Sequence, residues 1–304
     1  MNQELAAVSA AQGGPFRVAQ ARESGYTQRA INRLVATGEW TRLRRGVCVE
    51  SGLFAQAGDT ARRALEAAAA VLALNAPGAV CSHESAAVLH GIALLWPPPA
   101  GVVSLTRPPG GPGSDRLDRV RLYRAQLPGT HVLVHNGVPV TSPARTAVDL
   151  ARNLPFAGAV VAVDSALGEL GVSRYQLLEV ALACRNWPGI RQADQAIAAA
   201  DPRSSGPLGT LARLMCAAHG LPAPKVGVHV SAHGCPAVQA DLFWPEHGVV
   251  VLVQEGAGEP PARPLEHSGF TVIELTWDDV TRQARQSVQR IRRAFYPPAL
   301  ARSG

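Results

Sequence analysis

The chain has 304 residues, too many for one ordinary small core, and its 47% apolar and 17% charged residues describe a globular protein, not a disordered one. No run is apolar enough for a membrane span, and the opening MNQELAAVSAAQGG lacks the basic flank and apolar core of a secretory signal, so a cytoplasmic protein without a membrane partner is expected. Cys48, Cys81, Cys184, Cys216 and Cys235 form no CxxC pair, which argues against a disulfide framework or a zinc site, and a net charge of +6, with Lys225 as the single lysine, admits an anionic partner without specifying one.

Patterning divides the chain into three units, 1–51, 52–200 and 201–304, with an α+β fold overall. In the first, Phe16 to Ser24 has helical spacing, Gly25 breaks it, and Thr27 can cap a second helix running to Ala36. Ala30, Ile31, Leu34 and Val35 share one face of that helix, leaving Gln28, Arg29, Asn32 and Arg33 on the other. Those types suit a helix in a DNA major groove, because Gln and Asn can grip adenine edges and Arg guanine edges in two-point contacts. EWTRLRRGVCVE then reads as a hairpin turning at Arg45-Gly46, with Arg42, Arg44 and Arg45 making it a basic wing. Between Arg17 and Val49 seven arginines face only Glu23 and Glu39, so the positive charge is concentrated here. Together these features predict a winged helix-turn-helix that binds double-stranded DNA through Thr27, Gln28, Arg29, Asn32, Arg33, Arg42, Arg44 and Arg45.

The second unit reads as mainly helical with a small sheet. The alanine-rich run Ala61 to Leu74, with Arg62, Arg63 and Glu66, predicts a core-facing amphipathic helix. PPGGPGSD, from Pro108 to Asp115, predicts an exposed loop between strands, and Asn136-Gly137 a type I′ hairpin turn, because both positions want positive φ. Ser142-Pro143 and Ser173 signal helix starts. His83 and His90, seven apart beside Glu84, lack the four-residue spacing and third ligand of a zinc-binding helix and are read as structural. Arg145 and Asp149 are spaced to pair across one helical turn, also an architectural role, and no GxSxG nucleophile elbow occurs.

The third unit shows a helix over Gly206 to Gly220, strands VGVHV, VQADLFW, VVVLVQ and TVIELTW, and a final helix from Thr281 to Phe295, an α/β pattern.

GGPFRVAQARESGYTQRAINRLVATGEWTRLRRGVCVE resembles the N-terminal winged-helix domain of the AbiEi family of type IV abortive-infection antitoxins, which bind their own promoter DNA. AVCSHESAAVLHGI and VPVTSPARTAVDLAR resemble the same group. The third unit resembles the very-short-patch-repair-like endonucleases of the PD-(D/E)xK superfamily, a restriction-endonuclease-like fold in which a strand aspartate and an acidic pair on the next strand hold magnesium. Asp241 matches the first aspartate. VVVLVQEG, however, puts Leu252 and Gln254 at the two acidic positions, Glu255 would point to the opposite strand face, and no lysine follows Asp241. The resemblance therefore implies a vestigial site of Asp241, Gln254 and Glu255, with no metal and no cofactor.

Three functions are open on this reading. The first is a sequence-specific DNA-binding regulator or antitoxin that represses its own transcription, has no enzymatic activity, and pairs with a nucleotidyltransferase-like toxin or a second copy as a homodimer. The second is a metal-dependent endonuclease using Asp241, Glu255 and Glu246, and the third a protein-interaction module.

Overall fold

A computed structural model describes residues 1–110, 118–231, 237–254, 265–266 and 268–296. It opens with a helix to which the sequence pattern gave no signal, α1 (Gln3–Ala11), capped by the Asn2 side chain accepting the Leu5 N–H at 3.0 Å. Next come β1 (Phe16–Arg17), α2 (Val18–Glu23), α3 (Gln28–Ala36), β2 (Trp40–Arg44) and β3 (Val47–Glu50), with sheet order β1-β3-β2. The helix expected from Phe16 starts at Val18, because Phe16 and Arg17 pair with Cys48 and Val47 of β3. Leu5, Phe16, Ala21, Ile31, Trp40 and Cys48 form the small core beneath.

Helix α4 (Ser51–Gln56) follows β3 directly, so 51 falls at a continuous strand-to-helix passage. The expected alanine-rich helix is α5 (Asp59–Leu74), and it lies against both the first sheet and a second one. That second sheet comprises β4 (Val80–Cys81), β5 (Val103–Arg107), β6 (Val120–Arg124), β7 (Val132–His135) and β8 (Val138–Thr141), in the order β6-β5-β4-β8-β7, with α6 (His83–His90) after β4. β5 and β6 are parallel, and much of the loop expected between them, 111–117, lies outside the described residues. Asn136 and Gly137 have φ of +47° and +77°, as the type I′ turn requires. A Cβ on Gly137 would sit 2.6 Å from the Ala11 carbonyl oxygen, so glycine is what lets the end of α1 dock on this hairpin.

Helices α7 (Pro143–Asn153), α8 (Phe156–Gly168), α9 (Arg174–Ala183) and α10 (Ile190–Ala199) complete the middle unit around one apolar core. Ser142 accepts the Arg145 N–H and Ser173 the Gln176 N–H, so both expected starts are capped as the sequence indicates.

The last unit has α11 (Gly206–Ala218), β9 (Lys225–Val230), β10 (Val238–Trp244), β11 (Val249–Val253), β12 (Thr271–Leu275), α12 (Trp277–Thr281) and α13 (Ala284–Ala294), with sheet order β12-β11-β10-β9. β11 and β12 are parallel and the other pairs antiparallel. The helix expected over 281–295 is α13, which starts at Ala284, and it is preceded by an unexpected short helix, α12, started by a capping box of Thr276 and Asp279. Buried Asp164 of α8 bridges the units: it accepts from the Asp201 N–H, the Thr210 hydroxyl and Arg213, each at 2.7 Å. The fold is α+β, and among the described residues no helix is long and apolar enough to cross a membrane.

Candidate nucleic-acid interface

The N-terminal surface is built around α3. Gly25, at φ +89°, makes the turn after α2 possible, and the Thr27 hydroxyl accepts the Ala30 N–H at 3.2 Å. Ile31 anchors the inner face with no exposed surface, while Leu34 and Val35 are half-buried against the same core. Trp40 packs edge-on against Phe16, centroids 4.7 Å apart, and lies 5.1 Å from Tyr26, so the helix rests on an aromatic floor.

Thr27, Gln28, Arg29, Asn32 and Arg33 are all exposed, on the helix face the sequence assigns them. The Gln28 amide donates to the Asn32 side-chain oxygen at 2.9 Å, and Arg22 donates to Gln28, so these side chains are ordered along the helix and not splayed. Sequence reading missed Arg22, whose place in this chain only the turn geometry reveals.

The hairpin is formed by β2 and β3, with Gly46 at φ +74° in the turn and a register shift between Arg42 and Arg44. Arg42 and Arg45 are exposed. Arg44 is not a free wing residue: its guanidinium turns inward to donate to the Asp118 carbonyl at 2.6 Å and the Gly101 carbonyl at 3.5 Å, and burial holds its pKa below the ordinary arginine value. Arg17 is likewise tied to the Leu72 carbonyl at 3.0 Å. Of the seven N-terminal arginines, Arg22, Arg29, Arg33, Arg42 and Arg45 thus face solvent, whereas Arg17 and Arg44 fasten the unit to the middle of the chain.

In the middle unit the Arg145–Asp149 pair forms at 2.8 Å and is almost wholly buried. Asp149 also takes Arg152 at 3.1 Å, and both guanidinium carbons stand over the Trp187 ring, at 4.7 and 4.9 Å. Arg152 could have been read from its i+3 spacing, but Trp187 comes from a distant loop that periodicity does not reach. His83 and His90 have separate partners. His83 stacks on Tyr123 at 3.5 Å and contacts the Ser82 hydroxyl at 3.0 Å, and His90 contacts the Thr141 carbonyl at 2.7 Å. Among the described residues no group of three His, Cys, Asp or Glu side chains is placed to hold a metal ion. The four described cysteines are free and buried, and burial pushes the Cys81 and Cys216 thiols up to about 12, so neither supplies a ready thiolate.

Burial also lowers the pKa values of His83, His90 and His131. The unfolded chain then binds protons that the folded one refuses, so stability is full above the ordinary histidine pKa of about 6.5 and declines as pH falls below it. Urea midpoints should drop between pH 8 and 5.5. The drop should shrink in His83→Asn, a replacement that tolerates the φ of +52° at this position; an identical drop in both proteins would rule out His83 as a contributor.

In the third unit Asp241 sits on β10, 9% exposed, accepting the Val253 N–H at 2.6 Å and the Ser205 hydroxyl. Leu252 of β11 is core, packed with Val230, Val238, Ala240, Val250 and Leu265. Gln254 donates to Glu274 of β12 at 2.8 Å, and Glu255 lies outside the described residues.

The structure therefore defines an α+β protein in which Arg29 and Arg33 are exposed on one N-terminal helix and Arg42 and Arg45 on the hairpin after it. Residues 3–47 match a family model described as the AbiEi antitoxin transcriptional regulator, and residues 78–197 match the AbiEi antitoxin C-terminal domain. The chain thus carries two AbiEi antitoxin-family domains, and these two matches stop before the third unit. It is also similar to two uncharacterized proteins of Mycobacterium tuberculosis, Rv2248 of strain H37Rv and MT2308 of strain CDC 1551. Each is 28% identical over 194 residues, covering 60% of this chain and 71% of the relative.

Proposed function

We propose that the N-terminal unit is a winged helix-turn-helix that binds double-stranded DNA sequence-specifically, and that the protein is an autoregulating antitoxin-type repressor acting with a toxin partner. The observation that carries this reading is the exposure of Gln28, Arg29, Asn32 and Arg33 on α3 and of Arg42 and Arg45 on the hairpin that follows it. A helix in the major groove would read bases with the first set while the hairpin holds phosphates with the second. Asn32→Ala or Arg33→Ala should blur preference at one or two base positions, costing about 1–3 kcal/mol of discrimination each for a two-point contact. A footprint of undiminished preference in both variants would reject α3 as the reading element.

The third unit, on this reading, has an endonuclease-like shape and no nuclease activity. Magnesium-assisted hydrolysis needs several carboxylate oxygens to fix the ion and orient a water. Here Asp241 is engaged by Val253 and Ser205, Leu252 is packed in apolar core, and Gln254 brings an amide. Purified protein should leave supercoiled and linear DNA intact in magnesium or manganese. Asp241→Ala should instead lower stability by about 1–3 kcal/mol, the cost of stranding buried donors. Cleavage that disappears in Asp241→Ala would replace this reading with the endonuclease one.

A further inference from the structure

A cavity of about 680 Å³ lies between the β2–β3 hairpin, helices α4 and α5, and the stretch of the middle unit containing Gly101, Asp118 and Arg119. Its size is that of a small-molecule site. Its chemistry is cationic: the hairpin contributes three arginines and the middle unit Arg119, against Glu66 and Asp118. Arg44 in its wall is half-buried, donates to two neutral backbone carbonyls, and has its charge offset by Glu66 and Asp118 while Arg119 opposes it. Phe54 adds an aromatic ring to the wall, with the Arg62 guanidinium 4.7 Å from the ring centroid. Arginine forks suit phosphate oxygens, and an aromatic ring suits a nucleobase.

We propose that this cavity binds a small phosphorylated ligand of nucleotide size, with phosphates on Arg44 and Arg119 and the base against Phe54. The two sides of the cavity belong to different parts of the fold: β2 also carries the exposed Arg42, whereas Arg119 belongs to the second sheet's connections. A ligand held by both fixes the hairpin relative to the middle unit. Occupancy would then alter how the hairpin meets a DNA backbone, and by linkage DNA would alter ligand affinity equally. Binding of the ligand itself does not depend on the DNA-binding reading.

The test is isothermal titration calorimetry of the full chain with ATP and with sodium pyrophosphate, metal-free and at constant ionic strength. Both should give saturable one-to-one binding, ATP the tighter. Arg119→Asn, which keeps a residue able to adopt the φ of +54° found there, should weaken both probes at least tenfold. Phe54→Ala should weaken ATP and leave pyrophosphate unchanged. Neither variant should change the salt dependence of duplex binding without ligand. Absence of saturable binding by the wild-type chain, or binding unaffected by Arg119→Asn, would overturn the proposal. So would loss of duplex affinity in Arg119→Asn with no binding of either probe, which would assign the cavity to the DNA backbone.

Discussion

Asp149→Ala is expected to destabilise the middle unit by about 3–5 kcal/mol, the cost of removing one partner from a buried ion pair. Asp149 is fully buried and neutralises Arg145 and Arg152 simultaneously, at 2.8 and 3.1 Å. Without it two guanidinium groups are left over Trp187, Arg145 almost wholly buried and Arg152 retaining only the Pro188 carbonyl among its hydrogen-bond acceptors. Asp149→Asn should fall between, since it keeps an acceptor oxygen and loses the charge. Urea unfolding followed by far-UV circular dichroism measures the effect. A loss below about 1 kcal/mol would mean that the pair is solvated and that α7 is not held by this charge.

The double replacement Arg42→Ala with Arg45→Ala is expected to weaken binding to every duplex roughly 10- to 100-fold near 0.1 M salt and to flatten the log–log salt slope by about two units, about 0.9 for each phosphate no longer neutralised. Both side chains are exposed on the hairpin, and Arg42 also contacts the Cys48 thiol. Arg44→Ala should behave differently, because its guanidinium already bonds the Asp118 and Gly101 carbonyls. That variant should loosen the hairpin from the middle unit and lower stability while changing the slope little. Fluorescence anisotropy over a salt series separates the cases; an unchanged slope in the double variant would remove the hairpin from the DNA interface.

The difference between Arg44 and its neighbours shows where sequence reading stops. Residue types that fix local backbone geometry could be read directly: Gly25 and Thr27 around the helical turn, Asn136-Gly137 in the hairpin, Ser142-Pro143 at the start of α7, and the Arg145–Asp149 spacing. These work through φ, capping and helical rise, which act within a few residues. Arg44 sits in a run with Arg42 and Arg45 and is chemically identical to them, but the fold of residues 101 and 118 decides its direction. Helix α1 escaped notice for a similar reason. Only Leu5 and Ser9 of it are buried, too few to set a periodic stripe. Helix α12, also unexpected, begins where the sequence reads as strand and rests on the Thr276–Asp279 capping box. Trp187 and Tyr123 joined their clusters only through tertiary packing, as did the cavity beside Arg119.

The most direct measurement is the affinity of the full chain for a duplex from its own upstream region and for a scrambled duplex of equal length and composition, each across a salt series. A winged helix reading bases through α3 predicts binding to the upstream duplex tighter by on the order of 10³-fold or more, with both affinities falling as salt rises. Equal affinities for the two duplexes, or binding indifferent to salt, would contradict it.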